Sequence, residues 1–294
     1  MGSSDDRITL FKEDLGRLKT EKPHISTLLD AIGPVRLMEH ALQEKTVDKQ
    51  KDLSPDQLKT RGGIPLIKQH TLFFPEDPWQ EMTFSVADAI REGLPHLAGQ
   101  MDQLTLFSQQ NPAEFLKLFL PSELPFAAEA PAWTADISVE PAALFLLVNT
   151  VKRVILTGRA QEMMEKIADL PWDKGYCPVC GSFPILAFIR INGQRWLHCA
   201  CCHHEWTYPR PQCPWCEHES PESTTYLFVE DDKENSAYIC EKCRKYLITV
   251  NRSESLKDMD PDLTGISLAH LDVILQGKGF SPMAVREWNL FDPG

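Results

Sequence analysis

The first 176 residues of this 294-residue chain contain no cysteine. Nowhere is there an uninterrupted apolar run of the ~18 residues that a membrane-spanning helix requires. The longest, AALFLLV, covers only Ala142 to Val148. The opening segment, MGSSDDRITLFKEDL, has no apolar stretch followed by a cleavage site and no Arg-Arg pair, so the expectation is a cytoplasmic chain without membrane insertion. Positive charge is scarce: 30 Lys and Arg face 42 Asp and Glu, giving a net charge of −12 and a pI near 5.2. Such a chain is repelled by nucleic acid and by anionic lipid. The cysteine-free half also lacks a nucleotide-binding glycine loop, a Ser/His/Asp arrangement and carboxylate pairs at catalytic spacing. Its expected role is recognition rather than catalysis, with no catalytic residue and no organic cofactor site.

What the chain does have is concentrated between Tyr176 and Tyr246. All nine cysteines lie there, eight of them in Cys-x-x-Cys pairs: Cys177/Cys180, Cys199/Cys202, Cys213/Cys216 and Cys240/Cys243. Two thiolates three residues apart in a tight turn can point at one cation, and two such turns make a tetrahedral four-sulfur site for zinc or iron. Four pairs therefore predict two metal ions per chain. A disulfide framework would need an oxidising compartment and would leave one of the nine cysteines over. A thioredoxin-type motif needs a single pair at a strand-to-helix turn.

The pairs are ordered along the chain. Between the first two lie apolar runs, Phe183 to Ile191 and Gln194 to His198, joined by Asn192-Gly193, a strong two-residue hairpin signal. Between the last two, Thr224 to Glu230 and Ser236 to Cys240 flank a charged turn, DDKEN. The plan of knuckle, strand, turn, strand, knuckle thus occurs twice. Sequential pairing joins Cys177, Cys180, Cys199 and Cys202 in one site and Cys213, Cys216, Cys240 and Cys243 in the other without crossing chains. Interleaved pairing stays open at this level. Cys201 falls inside the second pair, where its side chain is expected to point away from the metal. His198, His203 and His204 are surplus to four complete pairs and read as packing or surface residues. Trp196, Trp206 and Trp215 lie near ligands and would shield sulfur from water, and Glu230-Asp231-Asp232 reads as a solvated turn.

The remainder reads as helical. Ile8, Phe11, Leu15 and Leu18 have helical spacing over Asp6 to Lys19, as do Val35, Met38 and Leu42 over Val35 to Lys45. Ser54-Pro55-Asp56-Gln57 and Asn111-Pro112-Ala113-Glu114 resemble capping boxes with proline at the first helical position, the second opening a helix to Leu120. Thr83 or Ser85 is a candidate cap for a helix to Ala98, with Gly93 and Pro95 able to bend or split it. RGGIP at 61–65 and PEDPW at 75–79 read as loops. The strongest helix follows Ser138, carries Leu144, Leu147, Val148, Val151 and Ile155, and continues through Gln161 to Asp169. Asn251 to Asp260 is polar, and a final amphipathic helix is expected from about Leu263 to Gln276, ended by Gly277 or Gly279.

CPVCGSFP, then RWLHCACCHHEW, then two further pairs followed by KYLITV, resemble the formate dehydrogenase accessory protein FdhE family. The likeness runs from about Trp172 through DLTGISLAHLDVILQGKGF and includes Pro178, Gly181, Pro184, Leu197, His198, Glu205, Trp206, Asp272 and Gly279. The N-terminal half fits only in helical character and length, and Cys201 departs from the pattern as a competing thiol. The resemblance implies a helical domain followed by two rubredoxin-like modules and iron at the cysteine pairs. It also implies a cytoplasmic role on catalytic subunits of molybdenum-dependent formate dehydrogenases before export.

The expected fold is multidomain α+β: an N-terminal all-helical domain at 1–172, two small rubredoxin-like or zinc-ribbon β modules at 173–212 and 213–250, and a linker with a C-terminal helix at 251–294. The metal is iron by resemblance, with zinc equally acceptable to four thiolates. Three function classes compete. A nucleic-acid-binding zinc ribbon is disfavoured because Cys177 to Cys243 holds five Arg and Lys against nine Asp and Glu. A rubredoxin-like electron carrier suits the sites but does not need so large a helical half. An accessory protein that binds the catalytic subunit of a formate dehydrogenase uses the whole chain; a homodimer stays open.

Overall fold

The computed structural model describes residues 4–43, 54–119, 130–168, 171–229, 232–253 and 259–285. Among them helices come first: α1 (Ser4–Glu21), α2 (Ser26–Leu42), α3 (Gln57–Arg61), α4 (Leu66–Gln69), α5 (Trp79–Gly93), α6 (Ala98–Gln110), α7 (Pro112–Leu116), α8 (Trp133–Asp136) and α9 (Pro141–Ile167). Strands follow: β1 (Pro184–Ile189), β2 (Arg195–Cys199), β3 (Glu205–Thr207), β4 (Thr224–Val229), β5 (Asp232–Cys240) and β6 (Lys245–Asn251). Helices α10 (Pro261–Ser267) and α11 (Ala269–Gly277) and the short β7 (Ser281–Pro282) complete the described chain. The described residues form two compact units, one drawn from Met1–Leu53 and His70–Met163, the other from Ser54–Gln69 and Met164–Arg286.

The first unit is built on α9, whose Leu144, Leu147, Val148, Val151 and Ile155 are all buried, as their spacing predicts. The helix is long and apolar enough to cross a bilayer, yet 78% of its most apolar window is buried inside the protein. Its cations are matched from other segments: Arg153 Nε donates to Glu39 at 2.9 Å, and Arg159 pairs with Asp77 at 2.5 Å. Helix α2 starts at Ser26, well before the expected Val35, and runs through Pro34. Burial of Leu29, Ile32 and Val35 on one face outweighs the ~3 kcal/mol that an interior proline costs. Helix α5 begins at Trp79 rather than at Thr83 or Ser85. Asp77 accepts the Phe74 N–H and closes the PEDP turn, while the Thr83 hydroxyl donates back to the Trp79 carbonyl within the helix. As Gly93 and Pro95 foretold, α5 ends there, and a 3₁₀ turn at Pro95–Leu97 leads into α6. Asn111 precedes α7 without a side-chain cap, and the helix ends at Leu116, short of the expected Leu120, because residues 117–119 close into turns through Leu118 and Phe119 N–H to the Phe115 and Leu116 carbonyls.

The second unit is one mixed sheet in the order β3-β2-β1-β6-β5-β4, with β7 paired to β6. Both hairpins form, β1 with β2 and β4 with β5, and β1 pairs with β6 in parallel, so the two knuckle hairpins share a single sheet. Asn192 and Gly193 both have positive φ as the turn requires, but the loop has three residues, 191–193, closed by Arg190 N–H to the Gln194 carbonyl. The DDKEN turn is shorter than expected. From Asp232 onward the chain is already strand, held by the Asp232 carboxylate on the Glu234 and Asn235 N–H groups and by pairing with β6. Glu230 and Asp231 lie outside the described residues.

A core of Leu186, Phe188, Ile239, Tyr246, Ile248 and Val250 on the sheet meets Leu268, Leu271 and Leu275 of the C-terminal segment. The expected single helix there is two, broken at Leu268, with Asp260 capping α10 through the Asp262 and Leu263 N–H groups. The Ser54-Pro55-Asp56-Gln57 cap is also shifted: Asp56, not Ser54, accepts the N–H groups of Leu58 and Lys59. This segment belongs to the second unit. Leu66 and Ile67, the first residues of α4, donate their N–H groups to the carbonyls of Pro178 and Val179 at 2.8 and 2.9 Å. Helix-start donors that would otherwise lack partners are thereby satisfied by the first knuckle.

Candidate metal centres

Each cysteine pair sits in a tight turn, and three of the four turns close the same way. The N–H four residues after the first cysteine donates to that cysteine's carbonyl: Gly181 to Cys177, Glu217 to Cys213 and Arg244 to Cys240, each at 2.9 Å. The residue after the second cysteine has positive φ in all four knuckles: Gly181 (76°), His203 (58°), Glu217 (56°) and Arg244 (59°). A left-handed residue costs a β-carbon-bearing side chain roughly 1–2 kcal/mol. Only the first knuckle avoids this cost with glycine, so in sequence the other three turns are not marked as such.

The knuckles bring eight sulfurs into two groups. Cys177, Cys180, Cys199 and Cys202 form one, and Cys213, Cys216, Cys240 and Cys243 the other, with the sulfurs of each group within 4.8 Å of one another. This is the sequential arrangement. In the first group Cys177 lies 3.5 Å from Cys202 and Cys180 lies 3.4 Å from Cys199; in the second, Cys213–Cys243 and Cys216–Cys240 are 3.8 Å apart. A tetrahedron with metal–sulfur bonds of ~2.3 Å has edges of about 3.8 Å, whereas a disulfide needs ~2.05 Å. The donor set is thus that of a four-coordinate soft-metal site, and the residues fit zinc or iron.

Backbone N–H groups face the sulfurs. Cys201 and Cys202 donate to Cys199 Sγ at 3.3 and 3.4 Å. Cys213 likewise receives the N–H groups of Cys216 and Trp215, and Cys240 those of Cys243 and Lys242. Such donors favour the thiolate. Burial works against them. It pushes Cys177 and Cys202 well above the ordinary thiol range and Cys213 to about 11. At Cys180 burial also acts upward, but hydrogen bonds from Cys177, Cys199, Cys201 and Cys202 outweigh it and hold the group well below that range. Burial thus favours the protonated thiol at Cys177, Cys202 and Cys213, and at these positions a cation must displace a proton to bind.

Cys201 belongs to neither group, as expected, and the neighbouring Cys180 together with burial pushes its thiol well above the ordinary range. No histidine joins either cluster among the described residues. His198 is buried with Nδ1 3.1 Å from Glu205, and His203 lies 3.7 Å from Asp262. His204 stacks parallel to Trp206 and is pushed down to about 4 by burial. Glu205 is pulled up by burial, but His198 and Arg190 hold it below the usual carboxylate range. Trp206 is buried and donates to the Lys174 carbonyl at 3.0 Å, whereas Trp215 stays 38% exposed, packed against Phe183 with ring centres 4.1 Å apart and planes tilted by 33°, and lying under the Lys245 ammonium. Trp196 packs at the edge of the sheet core beneath Arg190.

Sequence reasoning missed what joins the clusters. A β-carbon on Gly175, just before the first knuckle, would lie 1.9 Å from the Pro214 carbonyl oxygen inside the third. Only glycine permits that approach. Lys174 adds an ion pair to Glu217 at 3.3 Å. The Tyr176 hydroxyl donates to the Gly63 carbonyl at 2.7 Å, tying the lead-in to the 54–69 segment.

Comparison with known proteins places these features in context. The family model "FdhE, central domain" matches residues 176–210, the segment carrying the first cluster. An FdhE homologue of Aquifex aeolicus is 23% identical over 90% of this chain and 88% of its own length. One from Pectobacterium atrosepticum is 28% identical over 93% of this chain and 84% of its own. The crystal structure of the FdhE protein from Pseudomonas aeruginosa superimposes with a TM-score of 0.64 at 22% identity, covering 100% of this chain and 98% of that one, and so shares the fold.

Proposed function

We propose that the chain is a member of the FdhE family and a formate dehydrogenase accessory protein, acting in the cytoplasm on the catalytic subunit during maturation. The observation that carries this reading is similarity over about nine-tenths of the chain combined with two ready-made four-sulfur clusters. In this reading Cys177, Cys180, Cys199 and Cys202 hold one metal ion and Cys213, Cys216, Cys240 and Cys243 another. Iron is the metal that the resemblance implies. A metal held there cross-links two short hairpins that have little core of their own. The 173–212 and 213–250 modules accordingly load as two sites on one sheet. The helical part supplies recognition, and the protein is not itself an enzyme.

An electron carrier is the competing reading, and it draws on the second cluster, where Cys216 and Cys243 are partly exposed. A pull-down with the catalytic subunit separates the two. An accessory protein retains the immature subunit, whereas a carrier associates weakly and transiently. In cells, formate-dependent dye reduction should fall when Cys177→Ser/Cys180→Ser is the sole copy, with the enzyme's transcript unchanged. Full formate dehydrogenase activity in a strain lacking this protein and any related copy would overturn the proposal.

A further inference from the structure

Arg195 opens β2 in the first hairpin and is 1% exposed. No carboxylate pairs with it among the described residues. Its Nη2 donates to the carbonyls of Pro209 and Gln212, the latter at 2.5 Å and immediately before Cys213. Nε and Nη1 are buried with no hydrogen-bond partner. The guanidinium lies between the rings of Tyr208 and Tyr238, 5.2 and 5.3 Å from their centres. Both rings lead to the second cluster: the Tyr208 hydroxyl donates to the Cys213 carbonyl at 3.3 Å, and Tyr238 is two residues before Cys240 on β5.

A fully buried cation without a counter-charge is among the costlier arrangements in a protein, even after relaxation. Two carbonyl dipoles and two ring faces offset part of that cost. The remainder calls for nearby negative charge. Protonated thiols provide none, but four thiolates around a divalent cation carry a formal charge of about −2, and around a trivalent cation about −1.

We propose that Arg195 is the internal counter-ion of the second four-cysteine centre: a positioning residue, supplied by the first hairpin, whose buried charge is matched when Cys213, Cys216, Cys240 and Cys243 close on a metal. The loaded second centre then stabilises Arg195 in its slot, and Arg195 in turn raises the centre's affinity for metal. Because Arg195 reaches across from β2, the second site is fully competent only when the first hairpin is folded against it. This inference rests on the reading that the second cluster holds a cation.

The test uses the full chain loaded with Co(II), whose thiolate charge-transfer absorbance reports each site as a chelator removes it. The phase lost in Cys216→Ser marks the second centre. Native chain showing no such phase overturns the underlying reading, independently of Arg195. With the phase present, Arg195→Gln keeps a donor for the two carbonyls but removes the charge, while Arg195→Lys keeps the charge. We expect Arg195→Gln to weaken second-site affinity about 10-fold or more, in the range of changes to groups supporting metal ligands. First-site affinity should stay within about twofold of native, and Arg195→Lys should recover most of the loss. Equal retention in Arg195→Gln and native chain overturns the proposal, as does equal damage by Gln and Lys, which would indicate shape alone. Loss of both phases together in Arg195→Gln also overturns it, since Arg195 would then serve the fold generally.

Discussion

The two clusters are chemically alike and sit differently. In the first all four cysteines are buried, the sulfurs crowd to 3.4–3.5 Å, and the N–H groups of α4 hold the knuckle by its carbonyls. In the second, Cys216 and Cys243 are partly exposed, the opposed sulfurs stand 3.8 Å apart, and Trp215, next to Cys216 in the chain, is 38% exposed. One ligand set therefore yields a sealed site and an accessible one. The cause is the cover: residues 54–69 return to the first knuckle, and no described segment does the same for the outer ligands of the second.

The hardest test of this contrast is to empty each site in turn. Cys177→Ser/Cys180→Ser and Cys213→Ser/Cys216→Ser should each reduce bound metal from two ions to one by elemental analysis. Structural tetrathiolate sites carry binding energies of ~10–16 kcal/mol, so each emptied hairpin should become susceptible to limited proteolysis. If both variants still held two ions, the division into independent clusters would fail. Gly175→Ala comes next. A β-carbon cannot fit against Pro214, and overpacking of this kind costs typically ~1–3 kcal/mol, so denaturant unfolding of the metal-bound unit should move by about that amount. Because the displaced atom lies in the third knuckle, chelator should reach the second site sooner in that variant.

Smaller effects sharpen the comparison. In the native chain a chelator should strip the accessible second site first, giving two kinetic phases; a single phase would mean that cover does not control exchange. Cys201→Ala should leave the metal count unchanged, since Cys201 is not among the four sulfurs of the first cluster, and elemental analysis showing a lost ion would make it a ligand. The smallest effect belongs to the strained turn. With Glu217 at φ 56°, Glu217→Gly should be about 1 kcal/mol more stable than Glu217→Ala in thermal unfolding, and equality would show that the turn is not strained.

The eight cysteines, both hairpins and the buried stripe of α9 are legible in the sequence, and the sequential division of the cysteines is favoured there, because each depends on residues close together in the chain. Short loops bring consecutive knuckles together at little entropic cost, and periodicity reports which side of a helix is buried. What the tertiary structure alone decided is long-range. The parallel pairing of β1 with β6 joins residues some 60 positions apart, such as Leu186 and Ile248. Residues 54–69 carry ordinary turn signals and give no hint of a partner at Pro178 and Val179. Gly175 is unremarkable in sequence until Pro214 lies against it, and Arg195 carries no signal that sets it apart from the other twelve arginines, though it is 1% exposed in the fold. Local spacing determines which atoms can bind a metal; burial and charge balance depend on what packs around them, and that depends on contacts between distant residues.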